Sequence, residues 1–304
     1  MAEVVAALDC GSNSTRLLTV RRGGGDLHRE TRITRLSQGV DASRRLVPEA
    51  MARSYRVLDE YRELMARDGV TRGLLVATSA VRDAVNGAEF LGEAGRHAGV
   101  EARLLTGEEE AWYSYAGAMA DLGHGKGPAV ILDIGGGSTE IAAVLDGALR
   151  SYSMQLGCVR VAERALGRGV VTPASAAAAR AMIAEQLDAA FVAHPAFAEA
   201  LGRARLVGLA GTVATLAQLD AADPVYRREV VHHRVLTRAT VQYWRDQLAG
   251  ETPAERLTHP GMVVGREDVL TAGLFVLDAV MERFGVDTLV TSENDILDGV
   301  AASL

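Results

Sequence analysis

Two short stretches carry the residue types that handle phosphate. Val5 to Thr15 reads VAALDCGSNST and Ala129 to Thr139 reads AVILDIGGGST, at a constant offset of 124 residues. Each is an apolar run that enters an Asp-x-Gly-x-x-Ser-Thr turn. Each leaves into a second apolar run, Leu17 to Val20 and Ile141 to Leu145, which reads as the returning arm of a hairpin. Glycines let the backbone approach a ligand closely, so that successive N–H groups point into one concavity and hold an anion. Gly135, Gly136 and Gly137 suit that task, with Ser138 and Thr139 adding hydroxyls, and Ser12, Asn13 and Ser14 suit it in the first hairpin. Asp9 and Asp133 end the entering strands, placed to hold a hydrated divalent cation rather than to touch phosphate. Two such hairpins facing each other across a cleft make a phosphate clamp.

A repeat of this kind calls for two α/β halves to position it. Val47 to Asp68 has helical periodicity, and Gly73 to Ala77 reads as a buried strand. Thr78 and Ser79 then offer N-caps for a helix carrying Arg82 and Asn86. A strand at Ala102 to Leu105 leads into Thr106-Gly107-Glu108-Glu109-Glu110-Ala111 and another helix. The glycine-dense stretch from Gly123 to Pro128 marks the expected boundary, giving domains 1–124 and 125–304. It is not a P-loop, because Gly127 follows Lys126 where Ser or Thr is needed, and DIGGGSTE does not satisfy GxGxxG. In the second half a helix should start at Thr172-Pro173 and end near His194-Pro195. A strand from Arg205 to Ala210 should break at Gly211-Thr212 and open a helix whose N-terminus suits a nucleotide or another anion. His232 and His233 lie in a strand-like stretch and read as structural, and no HExxH or GxSxG is present.

Composition narrows the class. The 304 residues contain 32 Lys+Arg and 39 Asp+Glu, a net charge of −7, with 48% hydrophobic residues. That excludes a disordered or collagen-like chain, and it argues against a nucleic-acid coat or a polybasic membrane binder. Cys10 and Cys158 stand alone without a CxxC, as reduced cytosolic thiols would. With no signal-peptide pattern and no long apolar span, the expectation is a cytoplasmic protein. Of the 32 basic residues 31 are Arg, an excess that codon bias explains, so particular arginines must be argued singly.

The ordered set Asp9-x-Gly-Ser-Asn-Ser, Ala77-Thr-Ser-Ala-Val-Arg-Asp-Ala-x-Asn86, Gly107-x-Glu-Glu-Ala111, Asp133-Ile-Gly-Gly-Gly-Ser-Thr-Glu140 and Gly208-Leu-Ala-Gly-Thr212 resembles the exopolyphosphatase / guanosine pentaphosphate phosphohydrolase family. Arg256 with Gly261-Met262, Arg266 through Asp268, and Ser292-Glu293 extend the resemblance along the whole chain. It implies two ribonuclease H-like domains of the actin-like ATPase and sugar kinase superfold flanking a cleft, with the last helix able to pack back on the first domain. It further implies Glu110 as the base that activates water, with Glu109 as the alternative because three glutamates run together. Glu140 becomes the second essential carboxylate, binding a divalent cation such as Mg²⁺ with Asp133. Asn13, Arg82, the glycine loop, Ser138, Cys158 and Arg266 become the phosphate pocket.

The implied substrate is inorganic polyphosphate, with guanosine pentaphosphate as the alternative and a homodimer as the assembly. A non-catalytic phosphate sensor is the rival binding reading. Two departures stand out. After Ser292-Glu293 the chain continues Asn-Asp-Ile rather than Gly-Arg, and it stops at Leu304 without the further helical domains of long forms, which suggests a preference for short polymer.

Overall fold

The computed structural model describes residues 2–122 and 128–304. The chain divides into two compact units, Met1–Gly117 with Ile296–Leu304, and Ala118–Asp295. The boundary expected at 124/125 lies outside the described residues.

In the first unit, β1 (Val4–Cys10), β2 (Ser14–Arg21), β3 (Asp26–Ile33), β4 (Arg72–Ala77) and β5 (Glu101–Leu104) form one sheet in the order β3-β2-β1-β4-β5. β1 pairs antiparallel with β2 and parallel with β4. Every residue of β1 is buried, because both of its faces are covered. Ala6, Leu8 and Cys10 pack with Leu58, Tyr61 and Phe90 from the helices Pro48–Asp68 and Gly87–Ala98. Val5 and Ala7, pointing the other way with the period of two of a strand, join Leu105, Tyr113 and the closing helix Ile296–Ser303. Arg29 Nη2 donates to Asp298 Oδ1 at 2.6 Å and pins that closing helix to the sheet.

The second unit repeats the plan. β6 (Ala129–Ile134), β7 (Thr139–Leu145), β8 (Ala148–Met154), β9 (Arg205–Leu209), β10 (Val235–Thr237) and β11 (Thr288–Thr291) follow the order β10-β11-β9-β6-β7-β8. Read from β8, this is again an antiparallel trio followed by parallel neighbours, with β10 added at the edge. The molecule is therefore α/β with one sheet topology used twice. The helix Pro173–Ala193 starts where the sequence places it, with Thr172 accepting from Ser175 N in a capping box.

Arg256 explains its own place among the motifs as a packing hub. Its buried guanidinium donates to the carbonyls of Leu248, Arg168, Glu267 and Gly169, and burial pulls its pKa below the usual arginine value.

Three local expectations need correction. The helix carrying Arg82 spans only Ser79–Asp83, and Ala84 is already extended. Asn86 lies outside it because its side-chain amide is committed elsewhere, accepting from Leu46 N at 2.9 Å and donating to Leu46 O at 3.0 Å. The strand expected to reach Ala210 ends at Leu209, since Ala210 has φ 63° and begins the helix Ala210–Asp220. His232 and His233 occupy a turn after the helix Arg228–Val231 rather than a strand.

Candidate active site

In the first unit the hairpin turn is closed by Gly11 N donating to Ser14 O at 3.0 Å. Its carbonyls are tied from behind by the segment leaving β3. Thr34 N and Arg35 N both donate to Asn13 O, at 3.0 and 2.9 Å, and Ser37 N donates to Ser12 O at 2.9 Å. Carbonyl oxygens repel anions, so holding them back leaves the opposite side of the loop to N–H donors. Asn13 is buried, and its amide Nδ2 finds no acceptor among the described residues. Ser12 Oγ lies 3.0 Å from Ser79 Oγ. Arg82 Nη1 donates to Leu105 O at 2.8 Å and to Glu110 Oε2 at 3.2 Å, while its buried Nη2 also finds no acceptor among the described residues. A buried donor without a partner is costly, and two of them with a cation suit an anionic ligand.

The adjacent glutamates separate cleanly. Glu110 is buried beside Arg82, on the helix Gly107–Met119. Glu109, the alternative base, is spent on the start of that helix. Its Oε2 accepts from Thr106 N at 2.9 Å, its own N–H donates to Thr106 Oγ1 at 3.2 Å, and Oε1 pairs with Arg103. The Thr106 N–H, with Arg103 beside it, holds the Glu109 carboxyl below the usual range, which weakens it as a base.

In the second unit Gly135 N donates to Ser138 O at 3.0 Å, the same closure as in the first hairpin. Asp133 and Glu140 are directly paired across β6 and β7, and only 8% and 2% exposed. Ser153, the partner of Glu140 on β8, donates Oγ–H to Glu140 Oε1 at 2.6 Å. Like charges directly opposite on neighbouring strands destabilise a sheet. A hard divalent cation with oxygen ligands relieves that repulsion, so these two residues fit such an ion. Asp9, expected to do the same in the first hairpin, is instead engaged by Arg16, whose Nε and Nη2 donate to Oδ2 at 3.0 and 2.8 Å. The built-in guanidinium supplies there the positive charge that a metal would bring.

Other expected ligands make contacts within the protein. Thr139 is fully buried and its hydroxyl donates to Leu156 O. It alternates with Glu140 along the strand, so the two side chains take opposite faces. Cys158 touches the loop through its backbone, N–H to Gly135 O at 3.0 Å, while its thiol lies in the apolar core, where burial pushes its pKa up. At Gly211-Thr212 the turn has Arg266 beside it. A Cβ on Gly211 would fall 1.9 Å from the Arg266 guanidinium, so Arg266 packs directly against this turn, and Thr212 is buried against Gly273.

Arg16, Ser153 and Arg160 are the residues that sequence reasoning missed. The first two stand opposite the named carboxylates in strand register. Reading the repeat one residue further, to Arg16 and Glu140, exposes the first of them.

Among the described residues, one group of three possible metal ligands lies together, Asp121, His232 and His233. His232 Nδ1 accepts from Glu293 N at 3.0 Å, so in the neutral ring Nε2 carries the proton, directed at Asp121 Oδ2 2.8 Å away. A ligating nitrogen needs its lone pair, and its other nitrogen normally donates. The group is thus a hydrogen-bonded turn rather than a metal site. No helix among the described residues is long and apolar enough to cross a membrane.

Comparison with known proteins agrees with this organisation. The chain is 41% identical to exopolyphosphatase 2 of Mycobacterium tuberculosis, over 99% of this chain and 98% of that protein. A crystal structure of an exopolyphosphatase-like protein matches with a TM-score of 0.90 at 33% identity, covering 98% of each chain. The Aquifex aeolicus member of the Ppx/GppA family matches with a TM-score of 0.80 at 28% identity, covering 100% of this chain and 97% of that one. The profile of the Ppx/GppA phosphatase family itself matches residues 19–304. On this footing, the chain belongs to the Ppx/GppA phosphatase family.

Proposed function

We propose that this protein is an exopolyphosphatase, releasing orthophosphate from the end of inorganic polyphosphate by attack of water on the terminal phosphorus. The observation that carries the reading is the twice-used loop whose carbonyls are bonded by the segment that follows: Ser12 O and Asn13 O in the first hairpin, Gly135 O, Gly136 O and Gly137 O in the second. Such a loop offers its other side to a phosphoryl group, and the name of the mycobacterial relative supports polyphosphate as the source of that group.

Phosphoryl transfer passes through a loose transition state, so the protein's task is positioning and charge neutralisation rather than covalent chemistry. Asn13 Nδ2 and Arg82 Nη2, donors with nothing else to bind among the described residues, would take phosphoryl oxygens. In the second unit, the amides of the Gly135–Gly137 loop and the Ser138 hydroxyl would likewise bind phosphoryl oxygens. Glu110 would accept the proton of the attacking water, with Arg82 holding the carboxylate in place. Asp133 and Glu140 would hold a divalent cation, Mg²⁺ being the first candidate, and such an ion lowers the charge on a phosphoryl group. A cytoplasmic homodimer completes the reading.

The test is direct. Purified protein is incubated with Mg²⁺ and polyphosphates of defined length, in parallel with guanosine pentaphosphate, and phosphate is followed. Release from polyphosphate is expected. Release from guanosine pentaphosphate alone would reassign the substrate, and tight binding without release would make the protein a sensor.

A further inference from the structure

The three carbonyls of the second loop are not held back by equal means. Gly135 O accepts from Cys158 N at 3.0 Å, and Gly136 O from Val159 N and Arg160 N at 2.9 and 3.1 Å. These are backbone bonds that most sequences would supply. Gly137 O differs: it accepts from the side chain, Arg160 Nε, at 2.6 Å. In the first hairpin the corresponding carbonyl, Asn13 O, is held by two backbone amides instead. Arg160 therefore does with a guanidinium what the backbone does in the other unit, and does so while only 7% exposed.

The peptide between Gly137 and Ser138 is planar, so the direction of its carbonyl fixes the direction of its N–H. With Gly137 O pulled back toward Arg160, the Ser138 N–H is turned to the other side. Released, the glycine run has backbone freedom enough to flip that plane and present an oxygen to an anion. Arg160 is further fixed from below, because Gly157 lets its segment approach the loop: a Cβ there would fall 2.3 Å from the Gly136 carbonyl carbon.

We infer that Arg160 is a positioning residue for phosphate binding: it sets the Gly137–Ser138 peptide plane so that the loop presents donors and no acceptor to a phosphoryl group. This rests on the reading that the Gly135–Gly137 loop receives phosphate. Arg160 need not touch substrate, and its effect passes through the loop.

The experiment compares wild type with Arg160→Met, Arg160→Lys and Gly157→Ala. Calorimetry gives the Kd of inorganic phosphate, thermal melts give Tm, and polyphosphate turnover gives KM and kcat. Arg160→Met should raise the phosphate Kd and the polyphosphate KM by about 10-fold or more, the scale of one charge-assisted hydrogen bond. Arg160→Lys, which keeps a donor and the charge but not the Nε–H, should recover part of that loss. Gly157→Ala should weaken phosphate binding with Arg160 intact, by moving the loop. A folded Arg160→Met protein with wild-type Kd and KM would overturn the inference. If Arg160→Met fails to fold, wild-type phosphate affinity in both Arg160→Lys and Gly157→Ala overturns it instead. A wild-type protein that binds phosphate but releases none from polyphosphate would sink the proposed enzyme and leave the role of Arg160 standing.

Discussion

In the first hairpin Asp9 on β1 faces Arg16 on β2; at the same register in the second, Asp133 on β6 faces Glu140 on β7. The surroundings are otherwise alike. Both turns close through a glycine N–H to a serine carbonyl at 3.0 Å, and both have carbonyls tied back by the segment leaving the third strand. The exchanged position changes the charge balance. One acidic residue carries its counter-charge within the sheet, and the other has a second carboxylate as its cross-strand neighbour. One position thus sets an arginine against the aspartate in one copy and a second carboxylate against it in the other, an acidic pair that fits a divalent cation. The turns differ in a matching way. Gly-Ser-Asn presents a side-chain amide, whereas Gly-Gly-Gly presents backbone.

The largest effect should come from the carboxylate that neither hairpin supplies. Glu110→Gln keeps the shape and the contact to Arg82 while removing the base. Turnover should fall at least about 100-fold, the low end for loss of general-base catalysis. Near-normal phosphate release by the folded variant would remove Glu110 from its role.

Next in size is the acidic pair. Glu140→Gln removes one of the two carboxylates that would hold the cation, so the Mg²⁺ concentration giving half-maximal activity should rise about 10-fold or more. The rise in Tm that Mg²⁺ gives the wild-type protein should shrink with it, because only binding to the native state stabilises. Unaltered Mg²⁺ dependence would break the contrast between the hairpins.

Much of this was readable before the fold was known. The hairpins showed because a period of two, interrupted by glycines, recurs at a fixed offset, and Thr172-Pro173 announced its helix through local capping chemistry. What stayed hidden was anything set by distant pairing. The offset relates Arg16 to Glu140, but only strand register places each opposite its aspartate. The pleat already implies that Thr139 and Glu140 face opposite ways, so both could never line one pocket. Arg160 gave no local sign, since the carbonyl it serves lies 23 residues earlier in the chain. Arg82 lies on a helix after Thr78, but that helix is shorter than the sequence suggests because the Asn86–Leu46 clamp joins residues 40 apart.

The first hairpin offers the converse test. Arg16→Met removes the counter-charge that Asp9 meets across the sheet. The expected cost is about 1.5–3 kcal/mol, the range for hydrogen bonds to charged groups, since Arg16 is largely shielded from water. It should appear as a lower Tm, with Asp9→Asn in the Arg16→Met background recovering part of it. If Arg16→Met melts like wild type, the first hairpin is not held by its own pair.

The smallest effect separates the neighbouring glutamates. Glu109→Gln should leave turnover within about threefold of wild type, because the Glu109 carboxylate serves the helix start and Arg103 rather than water. Its stability cost should be about 0.3–1.5 kcal/mol, as for other helix caps. The pH dependence carries the sign. The folded carboxyl titrates below its usual value of 4.5, so its contribution is present above that value and is lost as pH falls through the lower, folded one. The Tm difference between wild type and Glu109→Gln should therefore be fully developed at neutral pH and narrow in acid below 4.5. A Glu109→Gln protein that loses turnover as Glu110→Gln does would shift the base by one residue. It would also leave the buried carboxylate beside Arg82 as a structural pair, with both hairpins still in place to hold phosphate.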